Sequence, residues 1–253
     1  MRFKISNLFS SFRLHPSAFM SSRSHELEHL DRGDYSAEEY EGCLAELRRI
    51  NRFAGDASAL RRSLLREIEQ SGVKSFSVLD VGAGSGELLR VAAGWARREG
   101  KQANLVGVEL NARSAASILE ESENFSEISA VRGDAMSLPF ADDAFDYAIC
   151  SLFTHHFRDA EVVIVLKELG RIARRRIFVI DLHRHPLAFY FYTTVGRLFL
   201  YNRLVREDGA LSILRSFRPR ELQRLARQAC LTDVDVRRSF PFRLVLSGSK
   251  KRI

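Results

Sequence analysis

The chain has 253 residues, of which 45% are apolar, and this suffices for one large α/β domain with a substantial core. Lysine and arginine (39) outnumber aspartate and glutamate (32) and give a formal net charge of +7, but no dense basic block carries the interleaved aromatics of an RNA-binding protein, so we expect no nucleic-acid partner. Three widely spaced cysteines, Cys43, Cys150 and Cys230, argue against a zinc or disulfide framework. No apolar run reaches the ~18 to 20 residues of a membrane span. We therefore expect a cytoplasmic protein.

Residues 1–22 are predicted to form a flexible or amphipathic N-terminal segment. Phenylalanines and leucines alternate there with Arg2, Lys4 and Arg13. This pattern leaves two interpretations open: a disordered extension, or a short basic helix that makes a peripheral membrane contact through residues 1–20.

Residues 23–72 are predicted to form an N-terminal helical cap. Ser36 and Glu39 have the spacing of a capping box, in which each residue satisfies a backbone N–H of the other. Apolar residues then recur at helical spacing, at Leu44, Leu47, Ile50 and Phe53.

From residue 73 to residue 253 strands and helices alternate, which predicts a parallel sheet covered on both faces. The predicted strands are 76–81, 103–110, 127–134, 145–151 and 175–182, followed late in the chain by 233–239 and 242–248. The predicted helices are 86–99, 112–121, 158–173 and 218–231.

A glycine-rich turn follows the first predicted strand, with Gly82, Gly84 and Gly86 just after Asp80. Such a turn lets the backbone approach a ligand closely at the carboxyl end of the strand. Its GxGxG spacing puts Glu87 where a dinucleotide-binding motif has its third glycine, and a carboxylate there would repel a phosphate. The loop therefore favours a ligand without phosphate, which disfavours a hydride-transferring dehydrogenase and excludes a P-loop.

Two further carboxylates follow neighbouring strands. Glu109 ends the second predicted strand, where a carboxylate can accept hydrogen bonds from both hydroxyls of a ribose. Asp134 follows the third strand, where it or a neighbouring amide can meet an adenine amino group. The combination indicates a nucleoside pocket that holds no phosphate.

These motifs resemble those of the class I S-adenosylmethionine-dependent methyltransferases, and most of all the small-molecule branch that includes the ubiquinone and menaquinone C-methyltransferases. The resemblance covers residues 74 to 248 and implies a Rossmann-like, doubly wound, mostly parallel seven-stranded sheet with S-adenosyl-L-methionine as the cofactor. It rests on "VLDVGAGSGE", "GVELN", "GDAMSLPFADDAFDYAICSLFTHHF" and "FRPRELQRLARQACLTDVDV".

The resemblance also implies where the cofactor binds. The loop around its methionine part is expected to consist of Asp80, Gly82, Ala83, Gly84 and Gly86. The nucleoside is expected to contact Glu109 at the ribose, Leu110 on the adenine ring, and Asp134 with Ala135 at the adenine edge, while Ser151 and Leu152 line the floor near the sulfonium.

Methyl transfer needs alignment and exclusion of water more than it needs catalytic groups, although a phenol nucleophile gains from a base. His155 and His156 follow the fourth predicted strand and are our catalytic candidates. We favour His156, because relatives often carry a histidine at the end of this stretch. His183 and His185 are alternatives at the same sheet edge, and we predict no metal site.

The acceptor is predicted to be a small apolar molecule, phenolic, quinol or polyketide-like, methylated on oxygen or carbon. Dense aromatics in residues 187–201 suit a pocket wall or lid, or an ordinary core helix. "SLFTHH" stands where RNA and protein methyltransferases of the NPPY type have their motif, which disfavours a macromolecular substrate. A non-catalytic protein that keeps the cofactor site is a further alternative, and we infer no obligate protein partner.

Overall fold

The computed structural model describes residues 20–33 and 55–251, together with positions 35, 36, 38, 39, 42, 43, 46, 49 and 50. The prediction of an amphipathic segment in residues 1–19 lies outside the described residues, as do Leu44, Leu47 and Phe53. The capping box is confirmed: the backbone N–H of Ser36 donates to the Glu39 carboxylate (3.2 Å), and the N–H of Glu39 donates to the Ser36 hydroxyl (3.1 Å).

Seven strands form a single sheet. They are β1 (Ser75–Val81), β2 (Gln102–Glu109), β3 (Ile128–Arg132), β4 (Phe145–Ser151), β5 (Ala173–Leu182), β6 (Leu231–Ser239) and β7 (Arg243–Lys250). Their spatial order is β3-β2-β1-β4-β5-β7-β6. The pairings from β3 to β5 are parallel, and β7 runs antiparallel to both β5 and β6. This arrangement confirms the predicted Rossmann-like, mostly parallel seven-stranded sheet.

Helices cover both faces of this sheet. They are α1 (His29–Arg32), α2 (residues 56–70, with a π-helical stretch at Arg61–Leu65), α3 (Glu87–Arg98), α4 (Ala112–Glu121), α5 (Asp159–Ile172), α6 (residues 186–199, with a π-helical stretch at Tyr192–Gly196), α7 (Arg203–Arg215) and α8 (Pro219–Gln228). Apolar residues of α2 and α3 pack on one face and those of α5 and α8 on the other, so the sheet is buried between two helical layers.

The predicted helical N-terminal part is present, with α1 and α2 among its described residues. Residues 23–28 are not helical, whereas α2 contributes Leu60, Leu64 and Ile68 to the core against β1. α2 packs as part of the main core. The domain division at residue 72 remains a prediction. Among the described residues, no helix is both long and apolar enough to cross a bilayer.

A buried ion pair ties the start of α2 to the start of β7. Arg243 donates to both carboxylate oxygens of Asp56, from Nε at 2.7 Å and from Nη2 at 3.0 Å, and both side chains are buried. Because both ions have left water, each depends on the other for its charge to be balanced.

We expect Asp56→Ala to lower the free energy of unfolding by about 3–5 kcal/mol, because it leaves the Arg243 guanidinium buried without its partner. The double variant Asp56→Leu/Arg243→Met should recover most of that loss. Urea denaturation measures both effects. Asp235→Ala, which breaks an exposed pair with Arg237, is the control and should change the free energy by less than about 1 kcal/mol. An equal loss in the single and double variants would contradict the interpretation.

Candidate active site

The loops that follow β1 and β4 meet at the carboxyl edge of the sheet. β1 and β4 are neighbours, and the chain leaves β1 toward β2 on one side and β4 toward β5 on the other. Strand order therefore reverses between them, which is where open α/β sheets bind their ligands. The glycine-rich loop and the histidine segment both lie at this point.

The glycine-rich loop is held against the segment after β4. Gly82 has a φ of 70°, and a Cβ added there would lie 2.4 Å from Cδ2 of Phe153, so only glycine fits. Its backbone N–H donates to the carbonyl of Val108 (2.9 Å), which ties the loop to β2 as well. A Cβ on Gly84 would meet nothing within 4 Å, so this part of the loop faces open space.

Two carboxylates stand beside this loop in an unfavourable electrostatic environment. Asp80 is buried, and its Oδ1 has no hydrogen-bond partner among the described residues. Burial, and then the charge of Glu109, raise the pKa of Asp80 well above its usual range. Burial also raises the pKa of Glu109, against the opposing effect of backbone N–H donors, of which Gly84 lies at 2.5 Å.

The remaining predicted cofactor residues lie along the same edge. The N–H of Gly133 donates to the carbonyl of Glu109 (3.0 Å), which brings Asp134 and Ala135 beside the end of β2. Asp134 is exposed and accepts a hydrogen bond from the N–H of Met136 (2.9 Å), as in an Asx turn. Leu110 is largely exposed at the same edge.

Ser151 and Leu152 end β4 and begin the histidine segment. Leu152 has a φ of 49°, and its N–H donates to the carbonyl of Ile180 on β5 (2.9 Å). This turn directs the chain from β4 into the 3₁₀ turn Thr154–His156, where both candidate histidines lie.

His155 is buried and fixed by Asp181 of β5. Its Nδ1 lies 2.7 Å from Oδ1 of Asp181, while the hydroxyl of Thr154 (2.5 Å) and the N–H of His155 (3.1 Å) both donate to Oδ2. Burial alone would raise the pKa of Asp181, but the charge of His155 and these hydrogen bonds lower it to about 2. Because the ionised carboxylate can only accept, Nδ1 of His155 is the donor in this contact.

Glu28 faces both histidines from the N-terminal segment. Its Oε1 lies 4.0 Å from Nε2 of His155, and its Oε2 lies 3.9 Å from Nδ1 of His156. The ring of His156 stacks on that of His155 at 4.3 Å between centroids and is the more exposed of the two. The three side chains place a metal-ligand atom each within 4.8 Å of one another. Arg215 already brings a positive charge to 3.9 Å from Oε1 of Glu28, so the arrangement suits proton handling better than a divalent cation.

Two buried arginines hold the N-terminal segment over this edge. Arg215 donates to the carbonyls of His155 (3.2 Å), His156 (2.6 Å) and Glu26 (3.0 Å). Arg23 donates to the carbonyl of Arg215 (2.6 Å) and to that of Phe157 (2.9 Å). Residues 20–28 therefore cross the sheet edge and bring Glu28 to the histidines.

The structure separates the alternative histidines from this cluster. His183 is buried, and burial, with the charges of His185 and Arg238, lowers its pKa to about 4. His185 caps α6, since its Nδ1 accepts a hydrogen bond from the N–H of Leu187 (3.2 Å). Neither the charges that act on His183 nor the hydrogen bond of His185 involves Glu28 or His155.

Sequence reasoning missed Glu28, Phe153, Asp181 and Arg215. Asp181 had a usable signal, because an aspartate near the end of an apolar strand is the same feature that singled out Asp80 and Glu109. Glu28 had none, since it lies in a segment without regular secondary structure that reaches the sheet edge only through tertiary contacts.

The residues at the loop fit S-adenosylmethionine by charge. That molecule carries a sulfonium and an ammonium cation, and either would stabilise the ionised forms of Asp80 and Glu109, whose pKa values are raised without them. Its ribose diol matches a carboxylate at the end of β2. A phosphate, in contrast, would add negative charge beside two carboxylates.

Residues 78–176 match the family model described as a methyltransferase domain. An uncharacterised methyltransferase of Bacillus subtilis is 33% identical over 101 residues (37% of this chain and 38% of that protein). A demethylmenaquinone methyltransferase of Bacillus licheniformis is 29% identical over 101 residues (40% of this chain and 41% of that protein). The chain thus spans about two fifths of the length of these curated relatives.

The fold also matches a solved structure over most of both chains. A methyltransferase from Aquifex aeolicus, described as S-adenosylmethionine-dependent, superposes with a TM-score of 0.53 at 15% identity, and the match covers 79% of this chain and 96% of that one. At this identity the match concerns the fold.

The lowered pKa of Asp181 predicts that its contribution to the stability of the fold depends on pH. A carboxyl with a pKa of about 2 in the folded protein and about 3.9 in the unfolded chain contributes stability above pH ~4, and that contribution is lost as the pH falls toward 2. We expect Asp181→Asn to cost about 2–3 kcal/mol at neutral pH and progressively less below pH ~4. Urea unfolding across this pH range measures the difference, with the exposed Asp233→Asn as the control. A cost independent of pH would contradict the electrostatic explanation.

Proposed function

We propose that the chain is a class I S-adenosylmethionine-dependent methyltransferase, similar to the quinone methyltransferases, and that it transfers a methyl group to a small apolar acceptor that is phenolic, quinol or polyketide-like. The observation that carries the proposal is the pair of carboxylates with raised pKa values, Asp80 and Glu109, beside a glycine loop at the point where strand order reverses. The Bacillus licheniformis relative, a demethylmenaquinone methyltransferase, supports an acceptor of the quinol type.

Each predicted cofactor residue has a role in holding the cofactor. The backbone of Gly82, Ala83, Gly84 and Gly86 would surround the methionine part, and Asp80 would balance its positive charge. Glu109 would accept the ribose hydroxyls, with Leu110, Asp134 and Ala135 on the adenine side and Ser151 and Leu152 below the reacting methyl group. When bound, S-adenosylmethionine supplies an electrophilic methyl group on a sulfonium.

The histidine pair would take the proton that the acceptor loses. His156 is the accessible ring, so we assign it the contact with the acceptor. The Asp181 carboxylate holds His155 behind it, and the Glu28 carboxylate faces both rings. Methylation on oxygen and methylation on carbon both release a proton, so this placement of the histidines suits either reaction.

The proposed organisation keeps residues 1–22 as an N-terminal segment, 23–72 as a cap and 73–253 as the methyltransferase domain of a cytoplasmic enzyme. Arg23 and Glu28 give the cap a function, because Arg23 donates to the carbonyl of Phe157 and Glu28 faces the histidines. A covered edge excludes water from the reacting groups.

We expect Glu109→Ala to weaken binding of S-adenosylmethionine by about 2–4 kcal/mol, because two charge-assisted hydrogen bonds to the ribose are lost. Calorimetry with S-adenosylmethionine and S-adenosylhomocysteine measures the effect, with NADH as a negative control ligand. The exposed Glu120→Ala is the matched control variant and should bind like the wild type. Binding of NADH but of neither sulfur ligand would contradict the proposal.

Asp80→Asn should have opposite effects on stability and on binding. A buried carboxyl with a raised pKa costs stability at neutral pH, so the neutral amide should raise the melting temperature of the free protein. The same substitution removes the negative charge that faces the cofactor and should weaken the binding of S-adenosylmethionine by about tenfold or more. Thermal unfolding and calorimetry measure the two effects. Asp80→Asn with unchanged affinity would show that this carboxylate does not face the cofactor.

We expect His156→Ala to lower kcat about 10²- to 10⁴-fold with a phenol acceptor, while the affinity for S-adenosylhomocysteine is unchanged. The loss should shrink as the pH rises toward ~10, where the phenol ionises without a base. Transfer of labelled methyl groups to a panel of phenols, quinols and polyketide-type phenols measures turnover, with the exposed His25→Ala as the control. Cofactor binding by the wild type without turnover on any acceptor would support the non-catalytic alternative instead.

A further inference from the structure

Helix α6 turns a row of apolar side chains outward. The exposed residues are Leu187, Tyr190, Phe191, Val195, Leu198 and Phe199, followed by Tyr201 just after the helix. Leu198 is 71% exposed and Tyr201 is 77% exposed. Their three- and four-residue spacing puts them on one side of the helix, which we call the outward face of α6. An apolar row of this length on a surface indicates an interaction site.

The opposite side of α6 already fixes the helix to the protein. Ala188 and Phe189 are buried in a cluster with Met20, Ile213 and Leu214. The hydroxyl of Tyr192 donates to the carbonyl of Val205 on α7. These contacts hold the helix in place through its inner side, so the outward residues are available for contact with a partner.

The two threonine hydroxyls of α6 are satisfied within the helix itself. The hydroxyl of Thr193 donates to the carbonyl of Phe189 (2.8 Å), and that of Thr194 donates to the carbonyl of Tyr190 (2.5 Å). These two groups can enter an apolar medium without leaving a hydrogen-bond donor unpaired, which is a requirement for contact with lipid.

The charges within the stretch of chain that forms this face are all positive, whereas Glu46 packs at its end and accepts hydrogen bonds from the N–H groups of Tyr201 and Asn202. No aspartate or glutamate occurs between Asp181 and Glu207, whereas that stretch contains four arginines, of which Arg206 is exposed and Arg184 is buried. Met20, which packs on α6, is the point where residues 1–19 join the described structure. That segment contains Arg2, Lys4 and Arg13 and no acidic residue. Residues 182–206 and residues 1–19 both contain basic residues and no acidic residue, which favours an anionic partner.

We propose that the outward face of α6 docks on the surface of an anionic lipid bilayer. A helix that lies in the membrane interface has this composition, with aromatic and leucine side chains toward the lipid and arginines near the headgroups. Tyr190 and Tyr201 suit the boundary between hydrocarbon and water, where tyrosine is enriched. The inference goes beyond the proposed methyl transfer and does not depend on it.

Co-sedimentation with lipid vesicles tests the proposal on the full chain. The vesicles contain either equal parts of phosphatidylglycerol and phosphatidylcholine, or phosphatidylcholine alone. The test variant is Phe191→Ser/Leu198→Ser. The matched control is Leu119→Ser/Ile164→Ser, which removes two exposed apolar side chains from α4 and α5. Thermal unfolding shows that both double variants remain folded.

We expect the wild type to bind the anionic vesicles more tightly than the neutral ones, because arginines near the interface attract anionic headgroups. The α6 double variant should lose at least about tenfold in partitioning, since each exposed Phe or Leu contributes apolar area to the contact. The control should stay within about twofold of the wild type. Both double variants should bind S-adenosylhomocysteine like the wild type in calorimetry. The failure of one proposal is therefore distinguishable from the failure of the other.

Three results would overturn the proposal. Wild type that stays in the supernatant with anionic vesicles, or an α6 variant that sediments like the wild type, would remove the lipid contact. Self-association in sedimentation velocity that the α6 variant abolishes, without vesicle binding, would assign the face to a second copy of the chain.

Discussion

A carboxylate buried in a protein has to be paired, hydrogen-bonded or protonated, and this constraint organises the carboxyl edge of the sheet. Asp80 and Asp181 occupy the same kind of position, one residue before the end of a parallel strand, and both are buried. Asp181 receives hydrogen bonds from Thr154 and His155, and its pKa falls to about 2. Asp80 has no such donors for Oδ1, and its pKa rises. The same residue type therefore stabilises the fold at β5 and stands in an electrostatically unfavourable position at β1.

The two aspartates divide the site into halves with different chemistry. The half around β1 and β2 combines a bare glycine backbone with Asp80 and Glu109, which suits a cationic nucleoside. The half around β4 and β5 combines Asp181 with the two histidines, which suits a group that gives up a proton. The contact between Gly82 and Phe153 joins the halves, because the ring leaves no room for a side chain on the loop.

Segments far apart in sequence complete the second half. Arg23 and Arg215 are 192 residues apart and both donate to carbonyls of the histidine segment. Glu28 then faces both histidines from the same N-terminal stretch. Burial of these charges costs free energy unless all of them are satisfied together, so the N-terminal stretch and α7 adopt their positions cooperatively. The apolar residues on the outward face of α6 are exposed, so they have no role in the core.

The sequence by itself determined the sheet and the loop. Apolar runs of strand length separated by helical periodicity specify β1 to β5 and the helices between them, and the glycine spacing with Glu87 and Glu109 specifies a loop suited to a ligand without phosphate. These features are local, so a short stretch of residues suffices to encode each of them. The strands of the antiparallel pair, β6 and β7, were also evident as late apolar runs, although their place beside β5 was not.

Only the tertiary structure decided which histidine has a carboxylate partner and which way the aromatic helix faces. His155 and Asp181 are 26 residues apart and meet because β4 and β5 are adjacent. Glu28 reaches them through hydrogen bonds that have no local pattern. The aromatics of α6 had suggested a pocket wall or a core helix, since periodicity identifies an apolar face without identifying what covers it. Burial depends on the elements packed against a face, and the folded chain packs Ala188 and Phe189 inward and leaves Phe191 and Leu198 exposed.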